Sequence, residues 1–166
     1  MSLRRYFKNY FGLIPIYSDL IIKSKQKKIN RKFYFIKDNI SGENSKSKIS
    51  KVLKFLHGDK SDCLFITAPE NVAWLLNLRG KDYPHSPVPN CRLILKKDGK
   101  MYLFANKSKI NNLILSNNSK KIKLIDERKT DIFLKELSSK KIILDRLSCS
   151  LAYENIIRNK ISISNK

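Results

Sequence analysis

The chain has 166 residues, 42% of them hydrophobic and 30% charged, enough to bury a core and too apolar for a disordered polymer. Its 35 Lys and Arg against 14 Asp and Glu give a net charge of +21, a field that attracts polyanions at low salt. The lysines are spread over nearly every segment and the aromatics are not interleaved with arginines as a stacking surface needs, so non-specific binding at most is expected. No apolar run approaches the ~20 residues of a membrane span.

Residues 1–32 read as an entry segment, with Met1 to Leu3 resembling a cloning remnant. Leu13, Ile14, Ile16, Leu20, Ile21 and Ile22 supply apolar surface there, and Lys23 to Lys32 form a solvated basic run. Gly12, Pro15 and Asp19 interrupt any continuous apolar stretch, so this is not a signal peptide and a cytoplasmic location is expected. Cys63, Cys91 and Cys149 form no CxxC pair and are odd in number, which suits buried small hydrophobes in a reducing compartment.

Residues 33–166 read as one domain. Phe33 to Ile36 has strand character, and Ser41 to Ser45 is a loop by composition. Ile49, Val52, Leu53 and Leu56 fall at i, i+3, i+4 and i+7 and predict a helix. Ser45 is its expected N-cap and Gly58 its stop, with Lys46, Lys48, Lys51 and Lys54 on the wetter faces. Cys63 to Thr67 reads as a buried strand. Thr67 to Glu70 matches a capping box with Pro69 in the first turn, opening a short helix through Trp74 and Leu76. Asn77 to Asn90 is a loop. Two apolar runs, Arg92 to Lys96 and Met101 to Phe104, flank Asp98-Gly99 and predict a hairpin. A helix through Ile110, Leu113 and Ile114 follows, then a strand at Lys121 to Ile125 and a helix at Thr130 to Leu137. The last elements are a strand at Lys141 to Leu144 and a helix at Leu151 to Ile157, with Ile161 and Ile163 ending the sheet or fraying. This alternation predicts a three-layer α/β/α domain on a mixed sheet.

The chemistry-bearing residues do not assemble into a catalytic pattern. His57 and His85 belong to no HExxH or i, i+4 pair, and the acidic residues show no ligand spacing. There is no GxSxG, and Ser148-Cys149-Ser150 has no partner. One stretch stands out, Asn71 to Asp82 continuing through Pro84-His85-Ser86-Pro87-Val88. It holds the only Trp of the chain, Trp74, and sets Asn77, Arg79 and Asp82 around Gly80. A purely structural reading makes Trp74, Leu75 and Leu76 core, gives Gly80 a positive φ and pairs Arg79 with Asp82.

The same stretch resembles the Trp-Leu-Leu-Asn-x-Arg-Gly-x-Asp block of the larger Xaa-Pro aminopeptidases, in the creatinase–prolidase superfamily. Asp62 to Thr67, Ser86-Pro87-Val88, the Asp98-Gly99 hairpin, Ser41-Gly42-Glu43 with Lys48-Ile49, and Leu13 to Ile16 resemble the flanking family segments. The likeness runs over most of residues 13–157. It implies the middle, creatinase-N-type domain of a three-domain enzyme that removes the N-terminal residue from peptides with proline second. The implied partners are a pita-bread catalytic domain expected outside this sequence, peptide substrates, and a second copy of the parent in a homodimer. The implied cofactors are two divalent metal ions, manganese by the family's habit, held by that other domain, with none held here. The domain itself would be inactive and would shape the substrate cleft. Arg79 would face the catalytic domain or a substrate carbonyl, with Asp82 holding its guanidinium in a fork. Trp74 would anchor the loop, Asn77 would stiffen the turn, and His85 would lie at the same cleft or interdomain contact. The alternative reading is a basic nucleic-acid-binding or scaffold module.

Overall fold

The computed structural model describes residues 31–110 and 122–164. Residues 1–30 of the entry segment, and Leu113 and Ile114 of the helix expected through Ile110, lie outside them.

Strand β1 (Tyr34–Phe35) leads to a four-residue helix α1 (Asp38–Ser41) and then α2 (Ser45–Gly58). Asn44, one residue ahead of the expected Ser45, is the N-cap of α2; its side chain accepts from the Ser47 N–H at 2.8 Å. After β2 (Cys63–Ile66) comes α3 (Pro69–Leu76), then β3 (Leu78–Arg79), β4 (Cys91–Lys96) and β5 (Met101–Ala105). The rest is β6 (Ile122–Asp126), α4 (Thr130–Glu136), β7 (Lys141–Leu144), α5 (Leu151–Arg158) and β8 (Ser162–Ile163).

Six strands form one sheet in the order β6-β5-β4-β2-β7-β8. The hairpin β4–β5 and the pair β2–β4 are antiparallel; β5–β6, β2–β7 and β7–β8 are parallel. This is the mixed sheet expected from the alternation. Gly99, at φ 82°, makes the hairpin turn. Strands β1 and β3 make a separate antiparallel ribbon, pairing Tyr34 with Arg79 and Phe35 with Leu78, where the sequence read a loop from Asn77 onward.

The two sheet faces bury separate cores. On one, Leu56 of α2 and Val72, Leu75 and Leu76 of α3 pack on Leu93, Leu95 and Leu103. On the other, Leu134 of α4 and Ile157 of α5 pack on Phe65, Ile94 and Phe104. Strand β2 serves both: Cys63 and Phe65 face one core, Leu64 and Ile66 the other. All three cysteines are buried. Burial pushes the Cys63 and Cys91 thiols up, so neither is poised as a nucleophile.

Three local readings change. Helix α3 has no side-chain cap: Ala68 is its N-cap residue, and the Thr67 hydroxyl lies 2.9 Å from the Ser148 hydroxyl instead. Gly80 does not adopt positive φ; Asn77 (52°) and His85 (59°) do. Gly80 is required for space, since a Cβ there would sit 2.7 Å from the Pro89 Cα. Lys48 does not lie on a wet face, being 1% exposed.

Candidate functional site

The site grows from the end of α3. Asn77 terminates that helix in the left-handed conformation, which Asn tolerates better than most residues, and its N–H returns to the Ala73 and Trp74 carbonyls. Its side chain is buried and fully used. Nδ2 donates to the Ser41 hydroxyl and the Glu43 carbonyl, each at 3.0 Å, and to Asp38 at 3.3 Å. Oδ1 accepts from Lys48 Nζ at 2.7 Å. Asn77 thus joins α1, α2 and α3, a larger role than the expected stiffening of one turn.

Lys48 reaches this point from α2. Its ammonium also donates to the Trp74 carbonyl at 2.8 Å and lies 4.7 Å from the centre of the Trp74 ring. Carbonyl dipoles at a helix C-terminus and an aromatic face are what a buried cation needs in place of water. Trp74 itself is 53% exposed, so it is a half-open surface ring over Lys48 rather than part of the core. Val72, Leu75 and Leu76 stand at i, i+3 and i+4, and Trp74 at i+2 falls on the opposite side of the helix.

Arg79 and Asp82 do not pair. Arg79 Nη1 donates to the carbonyls of Ala73 (3.0 Å) and Leu78 (2.9 Å), which pins one arm of the guanidinium. Among the described residues its Nε and Nη2 have no protein acceptor. The Asp82 carboxylate turns the other way. It accepts from the Asn90 N–H at 2.6 Å and pairs with Lys109, both side chains largely buried. The fork is therefore replaced by two anchors: the helix end holds Arg79, and Asp82 closes the loop onto the residues after β5. The Gly80 N–H bonds to the Pro87 carbonyl at 3.0 Å and closes the same loop. His85 sits exposed near the loop's tip, between the bridged residues Tyr83 and Ser86.

The structure thus gathers Trp74, Asn77 and Arg79 at one helix end and sets Asp82 and His85 along the adjoining loop. The sequence reading missed Lys48, Lys109 and the acceptors around Asn77. Lys48 carried a signal, since it stands four residues before Val52 and eight before Leu56, on the edge of the apolar stripe.

Among the described residues no group of three His, Cys, Asp or Glu side chains gathers to hold a metal ion. None of their helices is long and apolar enough to cross a membrane. The site offers hydrogen-bond donors and a ring, a surface for recognition.

Residues 24–166 match the creatinase/prolidase N-terminal domain model. The chain belongs to that family. This creatinase/prolidase N-terminal domain is 28% identical over 134 residues to Xaa-Pro aminopeptidase 1 of Dictyostelium discoideum, covering 80% of the chain and 20% of that protein. It is 31% identical over 101 residues to human Xaa-Pro aminopeptidase 2, covering 59% of the chain and 15% of that protein. The chain therefore spans about a fifth or less of the length of these relatives. Among solved structures, an X-prolyl aminopeptidase from Caenorhabditis elegans, described as a cytosolic enzyme with a di-nuclear active site, superposes with a TM-score of 0.82 at 14% identity. The match covers 98% of this chain and 28% of that one. The N-terminal domain of a putative metallopeptidase from Corynebacterium diphtheriae matches at 0.51, covering 70% of this chain and 91% of that one, with 14% identity. The fold class is that of creatinase/prolidase N-terminal domains.

Proposed function

We propose that this domain is a non-catalytic part of a proline-specific metallo-aminopeptidase, where it walls the substrate cleft beside a pita-bread catalytic domain. In this reading residues 1–32 are its entry segment and residues 33–166 the domain proper. The parent is cytoplasmic and homodimeric, and holds two divalent ions, manganese in kind. The described residues do not fit such a centre, since they bring no ligand set together, so no reaction step is assigned to this chain.

The observation that carries the reading is the guanidinium of Arg79. One arm is fixed by two backbone carbonyls, and the edge formed by Nε and Nη2 meets no acceptor among the described residues. A held guanidinium with a free edge recognises a carbonyl or carboxylate of a peptide, and orienting the substrate this way is a large part of what a cleft wall contributes. Support also comes from the names of the relatives, which are Xaa-Pro aminopeptidases.

The purified chain is expected not to hydrolyse a Gly-Pro peptide, with or without manganese; turnover by this polypeptide sinks the reading. In the enzyme that carries the catalytic domain, Arg79→Ala is expected to lower kcat/KM about tenfold or more, the effect of one lost charge-assisted contact, with the melting temperature little changed. Unchanged turnover in that variant removes Arg79 from the site.

A further inference from the structure

Strands β2 and β7 are parallel neighbours, but the helices that follow them leave on opposite sides of the sheet, α3 over one core and α5 over the other. In open α/β sheets such a parting of the connections leaves a crevice outside the carboxyl ends of the two strands, and ligands bind there. This chain has that crevice. Its volume is about 250 Å³.

Val52, Ile66 and Leu75 make its apolar lining, and Trp74 contributes a half-exposed wall. Polar atoms come from the two strand ends. Thr67, directly after β2, and Ser148, in the turn after β7, place their hydroxyls 2.9 Å apart. Asn71 and Asp145 complete the polar side. Asp145 is the sole charged residue among the lining residues. Its exposed carboxylate is a local anion for a cation to meet, within a chain whose overall field of +21 otherwise opposes cations. Leu147, between the lining residues Asp145 and Ser148 in sequence, is 97% exposed, leaving uncovered apolar surface beside the opening. The crevice shares Trp74 with the site proposed above, but none of Asn77, Arg79, Asp82 or His85 lines it.

We propose that this crevice binds a primary ammonium on an apolar body: the ammonium at Asp145 with the hydroxyls of Thr67 and Ser148 as further acceptors, and the apolar body against Trp74 and Leu75. Both a small arylalkylamine and the free N-terminus of a peptide with an apolar first residue have this chemistry.

Trp74 is the only Trp in the chain, so its emission reports occupancy. The chain is titrated with phenethylamine, with 3-phenylpropionate as the same body bearing an anion, and with phenylalanyl-glycinamide with and without an N-terminal acetyl group. Saturable binding of an amine, with a Kd on the order of 1 mM for so small a ligand, is expected, without saturation by the anion or the acetylated compound. Whichever free amine binds more tightly names the source. Asp145→Asn keeps an acceptor for the Leu147 N–H, now 2.9 Å from Asp145 Oδ1, and is expected to weaken the amine about tenfold. Ser148→Ala, as a second variant, is expected to weaken it less. Amide shifts are expected at Thr67, Asn71 and Ser148. Equal binding of the anion, no saturation by either amine, an affinity unchanged in Asp145→Asn, or shifts confined to residues 79–85 overturns the proposal.

Discussion

Lys48 brings its Nζ to a place where 1% of the residue's surface meets solvent, and no carboxylate among the described residues forms a salt bridge with it. Two oxygens and a ring replace its hydration. Lys48→Met keeps the bulk but strands the Asn77 carbonyl oxygen, and a buried acceptor without a partner costs about 1–3 kcal/mol. Urea denaturation is expected to show that loss, with a shifted Trp74 emission because the ring loses its cation. A variant as stable as the parent, with unchanged emission, would show that the ammonium holds nothing in place. The sequence displayed half of this arrangement. The position of Lys48 beside Val52 and Leu56 was visible; its acceptors were not, because they are created by the end of another helix, some 26 residues on, held by α1. Trp74 was legible in the same partial way, its spacing pointing outward while its chemistry suggested core.

At the scale of elements, helix α3 and the loop after it work as one piece. The helix ends at Asn77, the chain pairs briefly with β1, and Gly80 passes against Pro89. Because Gly80 has ordinary negative φ, alanine is conformationally acceptable there and the whole penalty is steric. A Cβ 2.7 Å from a backbone carbon forces the chain apart, and overpacking of this kind costs about 1–3 kcal/mol. Gly80→Ala is thus expected to lower the melting temperature and to loosen the loop that carries Asp82 and His85, seen as faster amide exchange at residues 82–90. Unaltered exchange there would mean that Pro89 yields freely. Most elements were readable from their period: α2, the hairpin and β7 stand where apolar spacing puts them. The two-residue β3 and the four-residue α1 were not, because a single turn or bridge exists only through contacts with remote segments. The Arg79–Asp82 pair was misread for a related reason. Nearness in sequence suggested a partner, whereas Lys109, 27 residues away, reaches Asp82 across the fold.

Across the whole molecule, Asp62 stitches three strands. Its carboxylate accepts from Lys97 Nζ after β4 (2.7 Å) and from the N–H groups of Lys140 (2.8 Å) and Lys141 (3.1 Å) at the head of β7, while its own residue opens β2. Those contacts, the Lys97 ammonium foremost and then the Lys140 N–H, bring its pKa from 3.8 to about 2. A carboxylate with a depressed folded-state pKa contributes stability that is complete above its unfolded value and disappears as pH falls through its folded value. Denaturation midpoints are therefore expected to drop between pH ~4 and pH ~2 in the parent and to drop less in Asp62→Asn; parallel profiles would remove Asp62 as the linkage. The three-layer plan was legible from the alternation of elements. The order of strands was not, since nothing local reveals that β2, early in the chain, lies between β4 and β7.

That order has a kinetic consequence. Cys63 finds its parallel partner at Ile142, whereas the β4–β5 hairpin closes over a few residues. Pairings distant along the chain form slowly, and domains assemble as they leave the ribosome. A nascent polypeptide released as far as β6 can complete one side of the sheet, with β2 still presenting an unpaired edge. Until β7 emerges, that edge is the part of the newborn protein most in need of a chaperone.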